Sequence, residues 1–222
     1  MRTHRMHLLF LLCTLLLATH AEGSSASNLY VAVARDFSEE GYSVWAGGEG
    51  DLNADGIKDA AFILQGGDMS GLRREIFAVY FGDANGTYTL ASRSHSDLFC
   101  NARNSYNVDI IDGSVLVELV HSVGEPVTST ILEFQYAKNS GDFRLIGEEY
   151  QEIYNQTGHG ARNSVNYLTG KALYARHNSL GRKAVERRRE YPVVYLREFD
   201  CPNWSGFSQS VYIDASLSVK EQ

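Results

Sequence analysis

Short apolar runs separated by turn residues fill most of the chain from residue 29 onward. Several runs alternate apolar and polar positions, so that in Thr128–Tyr136, for example, Leu132 and Phe134 share one face of a strand. This period of two predicts an all-β domain built from antiparallel hairpins. The most regular runs predict eight strands: Leu29–Ala34, Ala60–Leu64, Ile76–Phe81, Thr87–Ser92, Val108–Ile111, Ser114–His121, Thr128–Tyr136 and Phe143–Tyr150. Less regular runs predict four more: Val165–Leu168, Lys171–Tyr174, Val193–Phe199 and Ser210–Asp214.

The residues between the runs have the chemistry of hairpin turns. Asp112-Gly113 lies between two apolar runs and predicts a two-residue loop, because a type I′ turn needs positive φ at both central positions. The segments Asp83–Gly86 and Lys138–Asp142 predict longer hairpin loops of the same kind. Only Arg182–Arg189 has the composition of a helix, so we expect at most a short helix in this β-rich fold.

A basic segment extends from Lys171 to Glu190 and contains seven Lys and Arg residues against two Glu residues. Such a segment can be a contact patch for an acidic partner. Most segments of this kind are a solvated helix or loop with no partner, which is the alternative. The sequence leaves both interpretations open.

The N-terminal pattern predicts a secretory signal peptide in residues 1–21. Arg2 and Arg5 precede an apolar run from Leu8 to Ala18, and small residues precede a cleavage site after Ala21. The run is about eleven residues long, whereas a membrane-spanning helix needs roughly 20, so we expect no stable membrane anchor. We therefore expect residues 22–222 to form a single exported domain, either periplasmic or secreted.

Export changes what the charge and the cysteines imply. Cleavage removes two arginines and no acidic residue, and so moves the formal charge from −7 to −9. This acidic balance argues against nucleic-acid binding, which needs a positive surface. Cys100 and Cys201 remain after cleavage and predict one disulfide in an oxidising compartment. Its loop of about 100 residues would contribute roughly 4–5 kcal/mol in the chain-entropy model. Two unpaired buried thiols are the alternative.

The segment DLNADGIKD has the spacing of a calcium loop. Ca²⁺ binds six to eight oxygen atoms at about 2.3–2.6 Å, and alternate residues of a tight loop can supply them. Gly56 at position 6 permits the sharp bend that such a loop needs. An Asx-rich turn with no ion is the alternative interpretation. The predicted oxygen donors are the side chains at positions 1, 3, 5 and 9 and the carbonyl at position 7: Asp51, Asn53, Asp55, Asp59 and Ile57.

This loop differs from an EF-hand at its twelfth position, which is Phe62 rather than a bidentate Glu. Residues 60–64, AAFIL, have the composition of a buried strand and not of an exiting helix. No His or Cys lies nearby in the sequence, so zinc is disfavoured. The sequence therefore predicts a calcium loop that leads directly into a β-strand.

The stretches GDLNADGIKDAAFIL and VYFGDANGTYTL together resemble one FG-GAP-like repeat unit. The unit occurs once, whereas a propeller needs several copies, so a propeller is not expected. The chain is more similar to single-domain bacterial periplasmic calcium-binding proteins that resemble periplasmic lysozyme inhibitors and immunity proteins. This resemblance spans about residues 48–175 and excludes residues 177–222. It also includes three later segments: Asp97–Cys100, Gly141–Gly147 and Asn166–Lys171.

The resemblance implies an exported protein that binds and inhibits a cell-wall peptidoglycan hydrolase through a protruding loop with a tyrosine. Tyr106, in the loop after Cys100, is one candidate for that tyrosine; the alternative is that Tyr106 begins the next strand and packs in the core. Tyr154 and His159 are further candidates, because an exposed Tyr offers a large rigid contact area. A calcium-stabilised adhesion or glycan-binding module is the alternative function.

The sequence gives little support for an enzyme. Its histidines outside the N-terminal segment are scattered, and it contains no Gly-x-Ser-x-Gly motif and no phosphate-binding loop. Glu148 and Glu149 are adjacent, so on a strand they point to opposite faces and cannot act as a catalytic pair. We therefore expect a binding protein rather than a catalyst.

Overall fold

A computed structural model describes residues 22–37, 41–67, 73–95, 105–122, 124–179 and 181–199. The predicted signal peptide, Cys100, Cys201 and the predicted strand Ser210–Asp214 lie outside these residues. Among the described residues, the chain forms one α-helix and eleven strands, followed by a 3₁₀ turn. Their bounds are α1 Glu22–Phe37, β1 Ser43–Gly50, β2 Asp59–Gly67, β3 Arg73–Gly82, β4 Tyr88–Arg93, β5 Ser105–Ile111, β6 Ser114–His121, β7 Val127–Ala137, β8 Asp142–Tyr154, β9 His159–Asn166, β10 Lys171–Asn178, β11 Gly181–Arg188 and the 3₁₀ turn Leu196–Glu198.

The strands form two antiparallel sheets, which confirms the predicted β-rich fold class. The smaller sheet has four strands in the order β1-β2-β3-β4, and the larger has seven in the order β11-β10-β9-β8-β7-β6-β5. Within each sheet, every strand pairs with its neighbour in sequence, so successive connections alternate between the two ends of the sheet. The predicted Asp112-Gly113 turn joins β5 to β6, with φ of 50° and 75°.

The smaller sheet is the middle layer of three. Along β2, the side chains of Ala61 and Ile63 contact the larger sheet, whereas Phe62 and Leu64 contact α1. All of residues 60–64 are buried, as the continuous apolar run predicted. Phe77 of β3 extends the layer between the sheets, with its ring centroid 6.0 Å from that of Phe134 in the larger sheet.

The edges of the two sheets meet where β1 lies against β5. A Cβ atom on Gly48 would lie 2.6 Å from the carbonyl oxygen of Val108, so this approach requires glycine. The described C-terminal segment closes the opposite side. There the amide of Leu145 donates to the carbonyl of Val194 at 3.0 Å, and the ring of Phe199 packs on Phe134.

Three predicted elements are wrong. Leu29–Ala34 belongs to α1 and not to a strand, because Leu29, Ala32 and Val33 have the spacing of one helix face and bury against the smaller sheet. Arg182–Arg189 is not a helix, since most of it forms β11 in a hairpin with β10. Val193–Phe199 has only an isolated bridge and the 3₁₀ turn. Strand β1 was not predicted, because its sequence SVWAGGEG is rich in glycine.

Candidate functional site

The Asp51–Asp59 loop is held in shape by its own acidic side chains. The carboxylate of Asp51 accepts hydrogen bonds from the amides of Ala54 at 2.8 Å and Gly56 at 2.9 Å. Ala54 and Gly56 have φ of 63° and 80°, which curve the backbone around that carboxylate. The amide of Gly56 contributes most to lowering the pKa of Asp51, so this side chain is held in its charged form.

Asn53 and Asp55 form two further Asx turns along the same loop. The side-chain oxygen of Asn53 accepts from the amide of Asp55 at 2.9 Å, and Asp55 Oδ1 accepts from the amide of Ile57 at 2.8 Å. Such turns fix the direction of each side chain relative to the backbone. The structure therefore brings the predicted donors at positions 1, 3 and 5 onto one ordered loop.

Asp59 has a structural role that the sequence did not reveal. Its carboxylate is fully buried and accepts from the amides of Leu52 at 2.8 Å and Gly82 at 3.0 Å, which ties the loop to the end of β3. A Cβ atom on Gly82 would lie 2.2 Å from the carbonyl oxygen of Lys58, so β3 reaches this contact only through a glycine. Burial raises the pKa of Asp59, and the charges of Asp55 and Asp51 add to that increase.

An open cavity of about 410 Å³ lies beside the loop. One wall is the loop itself, from Asp51 to Ala54, and the other is made by two hairpins of the larger sheet. These hairpins contribute Asp112, Gly113 and Lys138, among other residues. The loop therefore lies at the end of the molecule where the β5–β6 and β7–β8 turns meet the smaller sheet.

The donors of this loop suit Ca²⁺ in their chemistry. They are carboxylate, amide and carbonyl oxygens, which hard cations prefer. The carboxylates of Asp51 and Asp55 lie close enough to Asp59 to disfavour its charged form, and a cation would relieve that repulsion. Among the described residues, no three His, Cys, Asp or Glu side chains are grouped ready to hold a metal ion. A calcium ion in this loop would therefore need the side-chain amide oxygen of Asn53 and the carbonyl of Ile57 in addition to carboxylate ligands.

Tyr106 is not exposed as a protruding anchor would be. It lies on β5 with 7% of its surface exposed, and its hydroxyl donates to the buried carboxylate of Glu75 on β3. Gln65 of β2 donates to the same carboxylate at 3.2 Å. Tyr106 therefore lies in a strand and packs in the core, which is the alternative that the sequence left open. The periodicity of β5 directs its side chain towards the smaller sheet.

Tyr154 and His159 lie together at an exposed hairpin between β8 and β9. They are the last paired residues before the turn, and Tyr154 is 40% exposed. The turn is closed by the amide of Gly158, which donates to the carbonyl of Tyr154 at 2.8 Å. The amide of Asn155 donates to the carboxylate of Glu125 at 2.9 Å and so links this turn to the β6–β7 connection.

The Tyr154–His159 hairpin and the Asp51–Asp59 loop lie at opposite ends of the larger sheet. Strand β8 connects the two ends and has 13 residues, which corresponds to about 43 Å at the usual rise per residue. An ion in the Asp51–Asp59 loop would therefore lie too far from Tyr154 to contact it. The structure places the two predicted sites apart rather than in one centre.

Glu148 and Glu149 point to opposite faces of β8, as expected. Glu148 is buried and accepts from the hydroxyl of Tyr167 at 2.5 Å, whereas Glu149 pairs with Arg162 at 2.6 Å on the other face.

The sequence did not identify Trp45, which is the extra residue of a β-bulge in β1 and is 48% exposed. The bulge has no sequence signal, because it depends on the register between β1 and β2.

Comparison of the chain with family models, curated proteins and solved structures finds no match. Within the described ranges, no helix is both long enough and apolar enough to cross a membrane.

Proposed function

We propose that this is an exported calcium-binding protein that binds and inhibits a peptidoglycan hydrolase, in the manner of a lysozyme inhibitor or an immunity protein. The observation that carries this proposal is the exposed Tyr154 at the tip of the β8–β9 hairpin. A tyrosine there combines a rigid ring with one polar tip, which is typical of residues that dominate protein–protein contacts.

The hairpin, rather than Tyr106, is the proposed inhibitory element. Residues 155–158 are exposed and are bounded by paired strands on both sides, so they extend from a rigid base. His159 pairs with Tyr154 across the base and would add a second polar contact. Together they would enter the substrate cleft of the hydrolase and exclude the glycan strand.

Calcium has a structural role in this proposal. Asp51, Asn53, Asp55 and Asp59 would hold the ion with the carbonyl of Ile57, and the ion would neutralise their charge. The support for this is the chemistry of the donors and the position of Asp59, the first residue of β2, which accepts hydrogen bonds from Leu52 in the loop and from Gly82 at the end of β3. The Asp51–Asp59 loop would thus hold the ends of β2 and β3 of the smaller sheet together, while the opposite end of the molecule contacts the hydrolase.

The test is a titration of the mature protein into muramidase assays with a panel of lysozymes and secreted cell-wall hydrolases. We expect at least one activity to fall to near zero at a close to stoichiometric ratio. Full activity of every enzyme at a large excess of the protein would contradict the proposal for those targets. The same titration with a Tyr154→Ala variant shows whether inhibition depends on the hairpin.

A glycan-binding module is the second candidate, and Trp45 favours it. Trp45 is the extra residue of the bulge in β1, it carries a flat apolar ring, and it is 48% exposed. In this case the protein would sediment with purified cell wall or polysaccharide and leave hydrolysis unchanged. Loss of that sedimentation in a Trp45→Ala variant, with inhibition absent throughout, would favour this candidate over the first.

A further inference from the structure

Strand β11 is the outer edge of the larger sheet and carries much of the basic segment. It pairs with β10 in an unbroken register from Lys171↔Arg188 to Asn178↔Gly181. Among the residues that the structure describes, no strand pairs with the other side of β11. All eight residues are exposed or half-buried, so the strand is accessible along its length.

The backbone of β11 has hydrogen-bonding groups that its own sheet does not use. The amide of Arg189 donates to the carbonyl of Gly170 at 2.9 Å. This bond shows which residues of β11 direct their backbone groups towards β10 and which direct them away. In an antiparallel pair, every second residue directs its N–H and C=O groups away from the partner strand. On β11, the residues that direct these groups outward are Arg182, Ala184, Glu186 and Arg188.

The charge on this edge is opposite to that of the whole chain. Arg182, Lys183, Arg187 and Arg188 all lie on β11, whereas the formal net charge of the chain is −7. The single acid of the strand, Glu186, is 3.4 Å from Lys171 on β10. An acidic polypeptide would therefore be attracted to this edge specifically, while most of the surface would repel it.

Of the features that usually prevent an edge strand from pairing, β11 lacks two, a bulge and a proline. Its register contains no bulge, and its sequence GRKAVERR contains no proline. Positive charge is the protective feature that remains, and it is selective. It repels a second copy of β11, since two such strands would place like charges opposite each other, but it does not repel an acidic strand.

We propose that β11 is a docking edge that accepts an extended acidic segment of another protein as an added antiparallel or parallel strand. Backbone hydrogen bonds to Arg182, Ala184, Glu186 and Arg188 would hold the segment, and the arginine and lysine side chains would select its charge. This surface is distinct from the Tyr154–His159 hairpin, and the proposal does not depend on hydrolase inhibition.

The experiment uses the mature protein and two eight-residue peptides, one of alternating Val and Glu and one of alternating Val and Lys. We expect the Val–Glu peptide to bind in low salt and the Val–Lys peptide not to bind, as measured by fluorescence anisotropy. Equal binding of both peptides, or binding of neither, would overturn the proposal.

Amide hydrogen exchange followed by NMR separates strand addition from simple charge attraction. On saturation with the Val–Glu peptide, we expect exchange at Arg182, Ala184, Glu186 and Arg188 to slow by about tenfold or more. Binding without slower exchange at these four amides would show that the peptide is held by charge alone and would refute docking as a strand.

Two variants test the two parts of the interaction. Arg188→Glu should weaken binding by roughly tenfold, while the matched reversal Arg74→Glu on β3 should leave it unchanged.

Ala184→Pro removes one outward N–H that the β10–β11 ladder does not use, and should weaken binding by about fivefold or more. Unaltered binding by a folded Ala184→Pro variant would contradict the proposal. If that variant does not fold, the amide exchange of the unmodified protein decides whether the peptide docks as a strand.

Discussion

The Asp51–Asp59 loop and the Tyr154–His159 hairpin lie at opposite ends of the larger sheet and are held in contrasting ways. In the loop, each side chain at positions 1, 3, 5 and 9 accepts a hydrogen bond from a backbone amide of the loop, and Asp59 at position 9 is fully buried. In the hairpin, residues 155–158 are exposed, and a single carboxylate from Glu125 supports the turn from outside.

The difference indicates how the molecule divides its tasks. A loop whose side-chain oxygens accept hydrogen bonds from its own backbone is held rigid, so it contributes to the shape and stability of the molecule rather than to contact with another protein. In a hairpin with exposed polar groups and an exposed ring, a mutation changes the stability of the protein little but can weaken binding strongly. Substitutions at the two ends should therefore affect different measurements.

The largest expected effect is that of Asp59→Ala, measured without calcium by urea unfolding. The change leaves the amides of Leu52 and Gly82 without their acceptor in a buried setting. Each such loss costs about 1–3 kcal/mol, so for the two amides we expect the free energy of unfolding to fall by about 2–6 kcal/mol. Asp59→Asn keeps one oxygen acceptor and should lose less. A loss below about 0.5 kcal/mol for Asp59→Ala would show that the loop is not anchored there.

Calcium should produce the next largest effect. After treatment with EDTA, calcium added at 100 times the dissociation constant should stabilise the protein by about 2.7 kcal/mol by mass action, and so raise the unfolding midpoint. Asp55→Ala should remove this response, because it takes away one carboxylate while the buried Asp59 contacts stay intact. The matched variant Asp83→Ala, in an exposed Asx turn outside the loop, should keep the response. An unchanged midpoint in the unmodified protein would exclude a stabilising calcium site.

Local and non-local features of the molecule differ in how far the sequence predicts them. The Asp51–Asp59 loop is local, so its spacing and the buried strand at residues 60–64 could be identified from the sequence. The register is not local, and register decides that Tyr106 is buried and that Trp45 is exposed in a bulge. Basic composition suggested a helix at Arg182–Arg189, but pairing with β10 imposes a strand, since tertiary contacts override intrinsic propensity.

At the hairpin end, Tyr154→Ala should separate binding from stability. Because the side chain is 40% exposed, the free energy of unfolding should change by less than about 0.5 kcal/mol. Inhibition of the sensitive hydrolase should weaken by at least about tenfold, which corresponds to roughly 1.4 kcal/mol. Tyr30→Ala, at an exposed tyrosine of α1, is the matched control and should inhibit normally. Equal inhibition by the Tyr154 and Tyr30 variants would remove the hairpin from the proposed contact.

The smallest expected effect is that of Glu125→Ala, which removes the external support of the hairpin. The carboxylate of Glu125 accepts from the amide of Asn155 in an exposed setting, so global stability should hardly change. The hairpin should nevertheless become more mobile, and we expect faster hydrogen exchange at the Asn155 amide. Glu125→Gln keeps an oxygen acceptor and should retain most of the protection. If Glu125→Ala leaves exchange at Asn155 unchanged, the turn is rigid through its own hydrogen bonds, and the contrast between the two ends is one of exposure alone.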